Sequence, residues 1–235
     1  MLDDIRSAFS FLTILPLGAP AGRKPGWSVA WFPLVGLFIG AALVAIAHFS
    51  SFDRDLSAFL ILLAWVIITG GLHLDGFGDC CDGLLASVAP EERRRIMRDP
   101  RAGIWAVVGL SLLLLGKWLA IRAVPIEMLI LSPVLGRWAM VWAAYYFPYV
   151  GGEGLGARFR QGLGTWQVLI ACGTVTLLVT TVEIVALWLC VYCFTMLFGH
   201  WAARRLGGGI SGDIYGAICE LSELLCLLAL AVIHG

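Results

Sequence analysis

Residues 56–72 read LSAFLILLAWVIITGGL, and they run without a break into residues 73–83, HLDGFGDCCDG. The first stretch is apolar enough for a membrane-spanning helix, which needs about 20 mostly apolar residues. The second carries three aspartates and a histidine. Setting acids directly at the end of a span places charge at a membrane face, and ionisable groups kept there are usually functional.

Composition supports the membrane reading. The 235 residues are 60% hydrophobic and 14% charged, with a mean hydropathy of +0.90; ordinary water-soluble domains hold about 45–50% apolar residues. The expected fold is therefore all-α, a polytopic integral membrane helical bundle forming a single membrane-embedded domain over residues 1–235. Apolar stretches suggest about seven transmembrane helices, over 30–49, 56–72, 103–124, 126–147, 166–182, 183–199 and 214–233. The run 166–199 reads either as one long span or as a hairpin broken near Thr180–Glu183. Basic residues favour the hairpin, because cytoplasmic loops collect Lys and Arg. With seven spans and a cytoplasmic N-terminus, segments 1–29, 73–102, 148–165 and 200–213 share one side and carry twelve of the sixteen Lys and Arg. The C-terminus then lies outside, and the first span is expected to be retained, since no cleavable signal is evident.

Net charge is zero and the sequence pI is near 6.9, so no global field points to nucleic acid. The seven cysteines form no paired framework. Cys190-Val-Tyr-Cys193 lies in apolar surroundings without a second Cys or His pair and reads as helix packing rather than metal or redox chemistry.

In residues 73–83 the carboxylates of Asp75, Asp79 and Asp82 are spaced i, i+4, i+7, one stripe of a helix. Close carboxylates repel unless a cation sits among them. Hard oxygen donors suit Mg²⁺ or Mn²⁺ rather than zinc. Gly76, Gly78 and Gly83 leave room for a ligand against the backbone. The competing reading is a helix end with solvated acids. A second acidic set, Asp213, Glu220 and Glu223, shares a helical face in the apolar stretch that follows Gly207–Gly209 and Gly212. Backbone amides of that glycine run could cradle phosphate oxygens before a helix N-terminus, although glycine runs are commonly plain loops and buried glutamates can be interhelical hydrogen-bonders.

Arg93, Arg94, Arg95 and Arg98 form a basic run that reads as a solvated or headgroup-facing surface. Arg101, in Asp99-Pro-Arg-Ala-Gly103, stands just before a span, where a guanidinium can hold a phosphate bidentately. Lys117 and Arg137 are intramembrane cations that need an acidic partner, a snorkelling route or an anionic substrate. Lys117 leans to structure; Arg137 fits either role. His73, two positions before Asp75, reads as a general base, a metal-site neighbour or a substrate hydrogen-bonder.

Gly70-Gly-Leu-His-Leu-Asp-Gly with Asp79 and Asp82, Asp-x-Arg-x-Gly at 99–103, and Gly208-Gly-Ile-Ser-Gly-Asp with Glu220 and Glu223 together resemble cobalamin synthase, the adenosylcobinamide-GDP ribazoletransferase family. The likeness spans most of the chain and includes Phe11-Leu-Thr-Ile-Leu-Pro16. Cys80 and Cys81 stand where Thr or Ala is commoner in that family, and Ser211 where Thr is; neither change removes a carboxylate. The resemblance implies a Mg²⁺-dependent transfer at the inner membrane of a bacterium, with the active site facing the cytoplasm. Adenosylcobinamide-GDP would meet α-ribazole, or its 5′-phosphate, and GMP would leave. On that reading His73, Asp82, Arg101 and Glu220 are catalytic; Arg137, Gly208, Gly209, Ser211 and Glu223 bind substrate; Asp75, Asp79, Asp82 and Asp213 bind Mg²⁺. A homo-oligomer, or association with other corrinoid-pathway enzymes, stays open.

Two other classes share parts of the pattern. A CDP-alcohol phosphotransferase also uses an intramembrane Asp cluster, but it wants Ala-Arg shortly after Asp-Gly, where this chain has Asp79-Cys80. An ion-coupled transporter would use the same carboxylates for a translocated cation, yet the chain shows no convincing repeat halves.

Overall fold

The computed structural model describes residues 1–18 and 24–234; Arg23, one of the basic residues assigned to the N-terminal side, lies outside them. Helix α1 (Leu2–Leu12) is followed by a 3-10 segment, Pro25–Trp31, that leads into α2 (Phe32–Phe49). Next come α3 (Arg54–Thr69), α4 (Leu72–Leu85), the short α5 (Pro90–Ile96) and α6 (Ile104–Ala123). A second 3-10 segment, Ile126–Ile130, leads into α7 (Leu131–Tyr146). The short α8 (Leu155–Arg160), α9 (Thr165–Thr176), α10 (Val182–Leu206) and α11 (Gly212–His234) complete the order. The bundle is all-α.

Among the described residues five helical stretches are long and apolar enough to cross a membrane: Pro25–Phe49, Ile104–Ala123, Ile126–Tyr146, Val182–Leu206 and Gly212–His234. Helices α3 and α4 pass the same test only together and are bent by 92°, which brings the number to six. The described residues thus give five or six spanning helices by length and composition, against the expected number of about seven. Residues 166–182 instead contribute α9, whose 12 residues reach about 18 Å, well short of a hydrocarbon core of about 30 Å. The chain does break within 166–199, at residues 177–181, where Thr180 and Thr181 are weak helix formers.

The bend between α3 and α4 has a local cause. Asp53 caps α3, accepting hydrogen bonds from the amides of Asp55 (2.9 Å) and Leu56 (3.0 Å). At the other end Gly70 (φ 63°) and Gly71 (φ 68°) are both left-handed, a conformation that costs other residues roughly 1–2 kcal/mol each. Two such residues in succession turn the chain sharply, so the aspartate-bearing helix leaves the direction of the span before it.

Helix α11 is the central strut, packed against α4, α6, α7 and α10. Helix α2 packs closely on α7 through Gly36-x-x-x-Gly40, the small-residue spacing that lets membrane helices touch backbone to backbone. A Cβ at Gly36 would lie 2.5 Å from the Pro133 carbonyl oxygen, and one at Gly40 would lie 2.7 Å from the Ile130 Cα. Gly36→Val is expected to destabilise the bundle by about 3 kcal/mol, because backbone on the far side cannot yield. Thermal unfolding in detergent measures it; an unchanged midpoint would mean that α2 does not dock on α7 this way.

The bundle has two ends with different chemistry. At one, His48 meets Glu127 (3.8 Å), Arg122 meets Asp55 (2.6 Å) and His234 meets Glu183 (3.7 Å), so the ends of α2, α6 and α11 lie near the beginnings of α7, α3 and α10. At the other, the Gly26 amide donates to the Gln161 carbonyl (3.0 Å), and Arg98 donates to the Gly151 carbonyl (2.7 Å). Tyr149 and Ile210 form a single parallel bridge there. The segments expected to share one side thus do gather at one end. Exposed Leu112, Leu115, Leu119, Leu169, Leu189 and Leu197 line the sides between the two ends, the surface a lipid-facing bundle presents.

Candidate active site

Helices α4 and α11 cross through glycines. A Cβ at Gly76 would lie 3.0 Å from the Asp213 Cα, and one at Gly216 would lie 3.1 Å from the His73 carbonyl oxygen. A side chain at either position would push the helices apart by a few tenths of an ångström, and with glycine at both the N-terminus of α11 rests on the Asp75–Asp79 stripe. Asp213, Asp75 and Asp82 all lie within electrostatic range of Asp79. The Ser211 hydroxyl donates to Asp213 Oδ2 at 3.1 Å and orients that carboxylate.

A cavity of about 420 Å³ opens at this junction. Asp75, Asp213, Ser211, Arg98, Tyr149 and Glu153 line its polar side; Phe11, Phe32, Phe159 and Met140 line its apolar side. Phe11 and Phe159 have ring centroids 4.1 Å apart, and Phe32 is 5.6 Å from Phe159. This aromatic wall is suited to a flat organic ring. Burial and the Asp213 carboxylate push the Tyr149 phenol above its ordinary value of 10, so it is a neutral hydroxyl at physiological pH. His73 also lines the cavity; it is buried, and neither ring nitrogen has a hydrogen-bond partner among the described residues.

The acidic side chains of the junction are hard oxygen donors, which suit Mg²⁺. Among the described residues no three His, Cys, Asp or Glu side chains close around a point as a ready-made metal cage. That is compatible with Mg²⁺, which keeps several waters and is commonly held by one or two carboxylates plus substrate phosphates. Asp75 and Asp213 on the cavity wall, with Asp79 beside them, are the residues that would hold such an ion.

Asp82 has other partners. Its Oδ2 accepts from the Gly103 amide (2.6 Å) and its Oδ1 from the Ala106 amide (3.0 Å). Gly103, the residue before α6, has no side chain with which to cap the helix, and Asp82 supplies the acceptor from 21 positions away. Both oxygens are bound where they satisfy otherwise orphaned amides.

Deeper in the bundle lies a closed ion cluster. Lys117 on α6 contacts Glu220 (2.5 Å) and Glu223 on α11, and Arg137 on α7 contacts Glu223. Glu223 and Arg137 are fully buried. The Ser132 hydroxyl donates to the Glu223 carbonyl at 3.0 Å, and Lys117 sits 4.5 Å from the Trp65 ring centroid. Two cations against two carboxylates make the cluster neutral, which is how a membrane interior tolerates four charges. It ties α6, α7 and α11 together, and α4 packs against two of these, α6 and α11.

A family profile described as Cobalamin-5-phosphate synthase matches residues 4–231. The chain belongs to the cobalamin-5-phosphate synthase family. An adenosylcobinamide-GDP ribazoletransferase of Pseudomonas putida (strain GB-1) is similar at 39% identity, the match covering 96% of this chain and 97% of that protein. Proteins of the same name from Pseudomonas savastanoi pv. phaseolicola and Prosthecochloris aestuarii are 40% and 34% identical, each match covering 96% of this chain. No solved structure matches.

Within this cobalamin-5-phosphate synthase fold, the residues singled out in the sequence separate into groups. Asp75, Asp213, Ser211 and His73 meet at the cavity, with Asp79 one helical turn along from Asp75. Glu220, Glu223 and Arg137 do not line it, because Lys117 draws the glutamates into the ion cluster. Gly208 and Gly209 do not line it either. The Gly208 amide donates to the Ala203 carbonyl (2.8 Å) and the Ile210 amide to the Pro148 carbonyl (2.8 Å), so these amides close α10 and pair the run with the 148–150 segment. A Cβ at Gly209 would lie 2.5 Å from the Pro148 carbonyl oxygen, which is why glycine stands there.

Arg101 is turned to the surface, its side chain 86% exposed and paired bidentately with Asp99 at 2.7 and 2.9 Å. That hydrogen-bonded fork holds the Asp99 carboxyl down at about 2. The arginine on the cavity wall is Arg98, which composition had grouped with the basic surface run. Tyr149 and Glu153 were likewise not evident in the sequence, since nothing around them marks a motif. Arg98→Ala is expected to lower turnover about 10²-fold, as loss of a phosphate partner does, and Arg101→Ala by less than about threefold. Steady-state GMP release by the two variants checks this; the reverse order would make Arg101 the functional arginine.

Proposed function

We propose that the chain is a Mg²⁺-dependent membrane transferase that joins adenosylcobinamide-GDP to α-ribazole, or to α-ribazole 5′-phosphate, in cobalamin biosynthesis. The whole chain would act as one catalytic unit, its cavity facing the cytoplasm at a bacterial inner membrane. The carrying observation is the α4–α11 crossing, where Asp75, Asp213 and His73 meet Arg98 on one cavity wall. Family membership over nearly the whole chain supplies the substrates.

A ribose hydroxyl of the riboside attacks the phosphorus on the corrinoid side of the diphosphate. The bond from that phosphorus to the bridging oxygen breaks, and GMP leaves with the oxygen. The hydroxyl proton passes to a base, for which His73 has an unpartnered ring nitrogen. Asp75, Asp79 and Asp213 would hold Mg²⁺, which offsets charge on diphosphate oxygens when bound. Arg98 is placed to contact the phosphates, and the Phe11, Phe32 and Phe159 wall shields the reacting groups from water. The corrinoid is too large for the cavity and rests at its mouth, against the membrane face.

The test is to give purified protein adenosylcobinamide-GDP with α-ribazole or its 5′-phosphate and follow GMP and corrinoid product together by mass spectrometry. Equimolar GMP and corrinoid product with either acceptor is the expected result. CMP release from a CDP-alcohol, with no GMP, would assign the chain to the other phosphotransferase class.

A further inference from the structure

A second notch at the same end of the bundle, about 330 Å³ in volume, is lined by Val88, Pro90, Arg93, Trp201, Arg204 and Arg205. It shares no residue with the catalytic cavity. Three guanidinium groups face it and no carboxylate does. The nearby acids are engaged elsewhere, Glu91 with Arg94 (3.3 Å) and Glu92 with Arg95 (2.6 Å). Arg204 and Arg205 have no ion-pair partner among the described residues; Arg205 lies 5.4 Å from the Trp201 ring centroid.

Arginines often gather at a helix C-terminus to complement its dipole and cap its carbonyls. Here the end of α10 is already closed. Gly207 is left-handed (φ 89°), its amide and that of Gly208 donate to the Ala203 carbonyl, and Arg94 donates to the Leu206 carbonyl. Arg93 is buried, with Nη1 donating to the Gly83 (3.1 Å) and Leu84 (2.9 Å) carbonyls that end α4. Burial and the facing Arg205 charge pull its pKa below the ordinary guanidinium value. Like charges held together without an acid call for an anion, and guanidinium forks match phosphate.

The surroundings name the kind of anion. Trp201 is 38% exposed in the last turns of α10, where a tryptophan marks a membrane interface. Leu197, one turn deeper on the same helix, is 74% exposed and offers a track for an acyl chain. We propose that this notch binds the phosphate of an anionic phospholipid, which through Arg93 also steadies the α4 end that carries Asp82. The proposal stands apart from the catalytic reading.

The test uses full-length protein released from nanodiscs of phosphatidylcholine mixed with phosphatidylglycerol, with retained lipid read by native mass spectrometry. Wild-type protein should keep phosphatidylglycerol in preference to phosphatidylcholine. Basic residues near a membrane surface contribute about fivefold each, so Arg204→Gln combined with Arg205→Gln should weaken retention about 30-fold. Arg95→Gln, which removes a paired charge on α5 outside the notch lining, should leave it unchanged. Equal retention of both lipids, wild-type retention by the double variant, or an equal loss in Arg95→Gln would each overturn the site. Displacement of the lipid by inorganic phosphate alone would make this a soluble-anion site and overturn the lipid assignment. Because the readout is bound lipid, it does not depend on turnover.

Discussion

Asp213→Asn and Asp75→Asn should each reduce GMP release by about 10²–10³-fold while leaving the protein folded. Both side chains reach the cavity wall, and neither is engaged in the ion cluster that holds the helices together. An amide of the same shape keeps the packing but removes one negative charge from the place where a cation must meet a diphosphate. Interactions directed at charge in the transition state are each worth about this much. The substitution at Asp213 should cost the more, because the Ser211 hydroxyl presets that carboxylate at 3.1 Å. GMP release at saturating substrate, with near-native thermal unfolding as the control for folding, checks both. Activity within threefold of wild type in either variant would remove that residue from the mechanism.

The second large effect concerns stability. Glu223→Gln leaves Lys117 and Arg137 buried against a single remaining carboxylate, and breaking a buried pair by removing one partner costs about 3–5 kcal/mol. That is a large fraction of a typical folding free energy of about 5–15 kcal/mol, so poor recovery of folded protein is the expected outcome. Charge balance gives the diagnostic. Lys117→Met alone leaves an uncompensated carboxylate, whereas Lys117→Met with Glu220→Gln leaves Arg137 and Glu223 as a neutral pair. The double variant should therefore be more stable than the single one, as measured by thermal unfolding in detergent. Its turnover should fall by much less than that of Asp213→Asn. A loss of turnover in the well-folded double variant equal to that of Asp213→Asn would restore Glu220 to the catalytic group.

The sequence was informative where chemistry repeats at helical spacing. Asp75 and Asp79 on one stripe, the glycines between them, and the gathering of four basic segments at one end all follow from periodicity and charge asymmetry. Less could be read where side chains from distant positions compete. Lys117 lies 103 residues from Glu220, and no spacing rule joins them. Asp82 obeys the i, i+7 pattern, yet the open helix start at Gly103 draws its carboxylate away; a glycine before a long apolar helix was the available signal. Arg98 and Arg101 flank the same turn, and sequence does not say which way a loop side chain points. The Gly36 and Gly40 contact was not read from the sequence, because one small-residue pair does not stand out in a chain with 28 glycines.

The central claim is that the α4–α11 junction is where metal and diphosphate meet. The most direct measurement is Mn²⁺ binding, with Mn²⁺ as a paramagnetic substitute for Mg²⁺, followed by electron paramagnetic resonance on the full-length protein in nanodiscs with adenosylcobinamide-GDP present. The account predicts substrate-dependent binding by the wild-type protein that is lost in Asp79→Asn and Asp213→Asn and retained in Arg101→Ala. Undiminished binding in both aspartate variants would contradict it and place the metal elsewhere in the bundle.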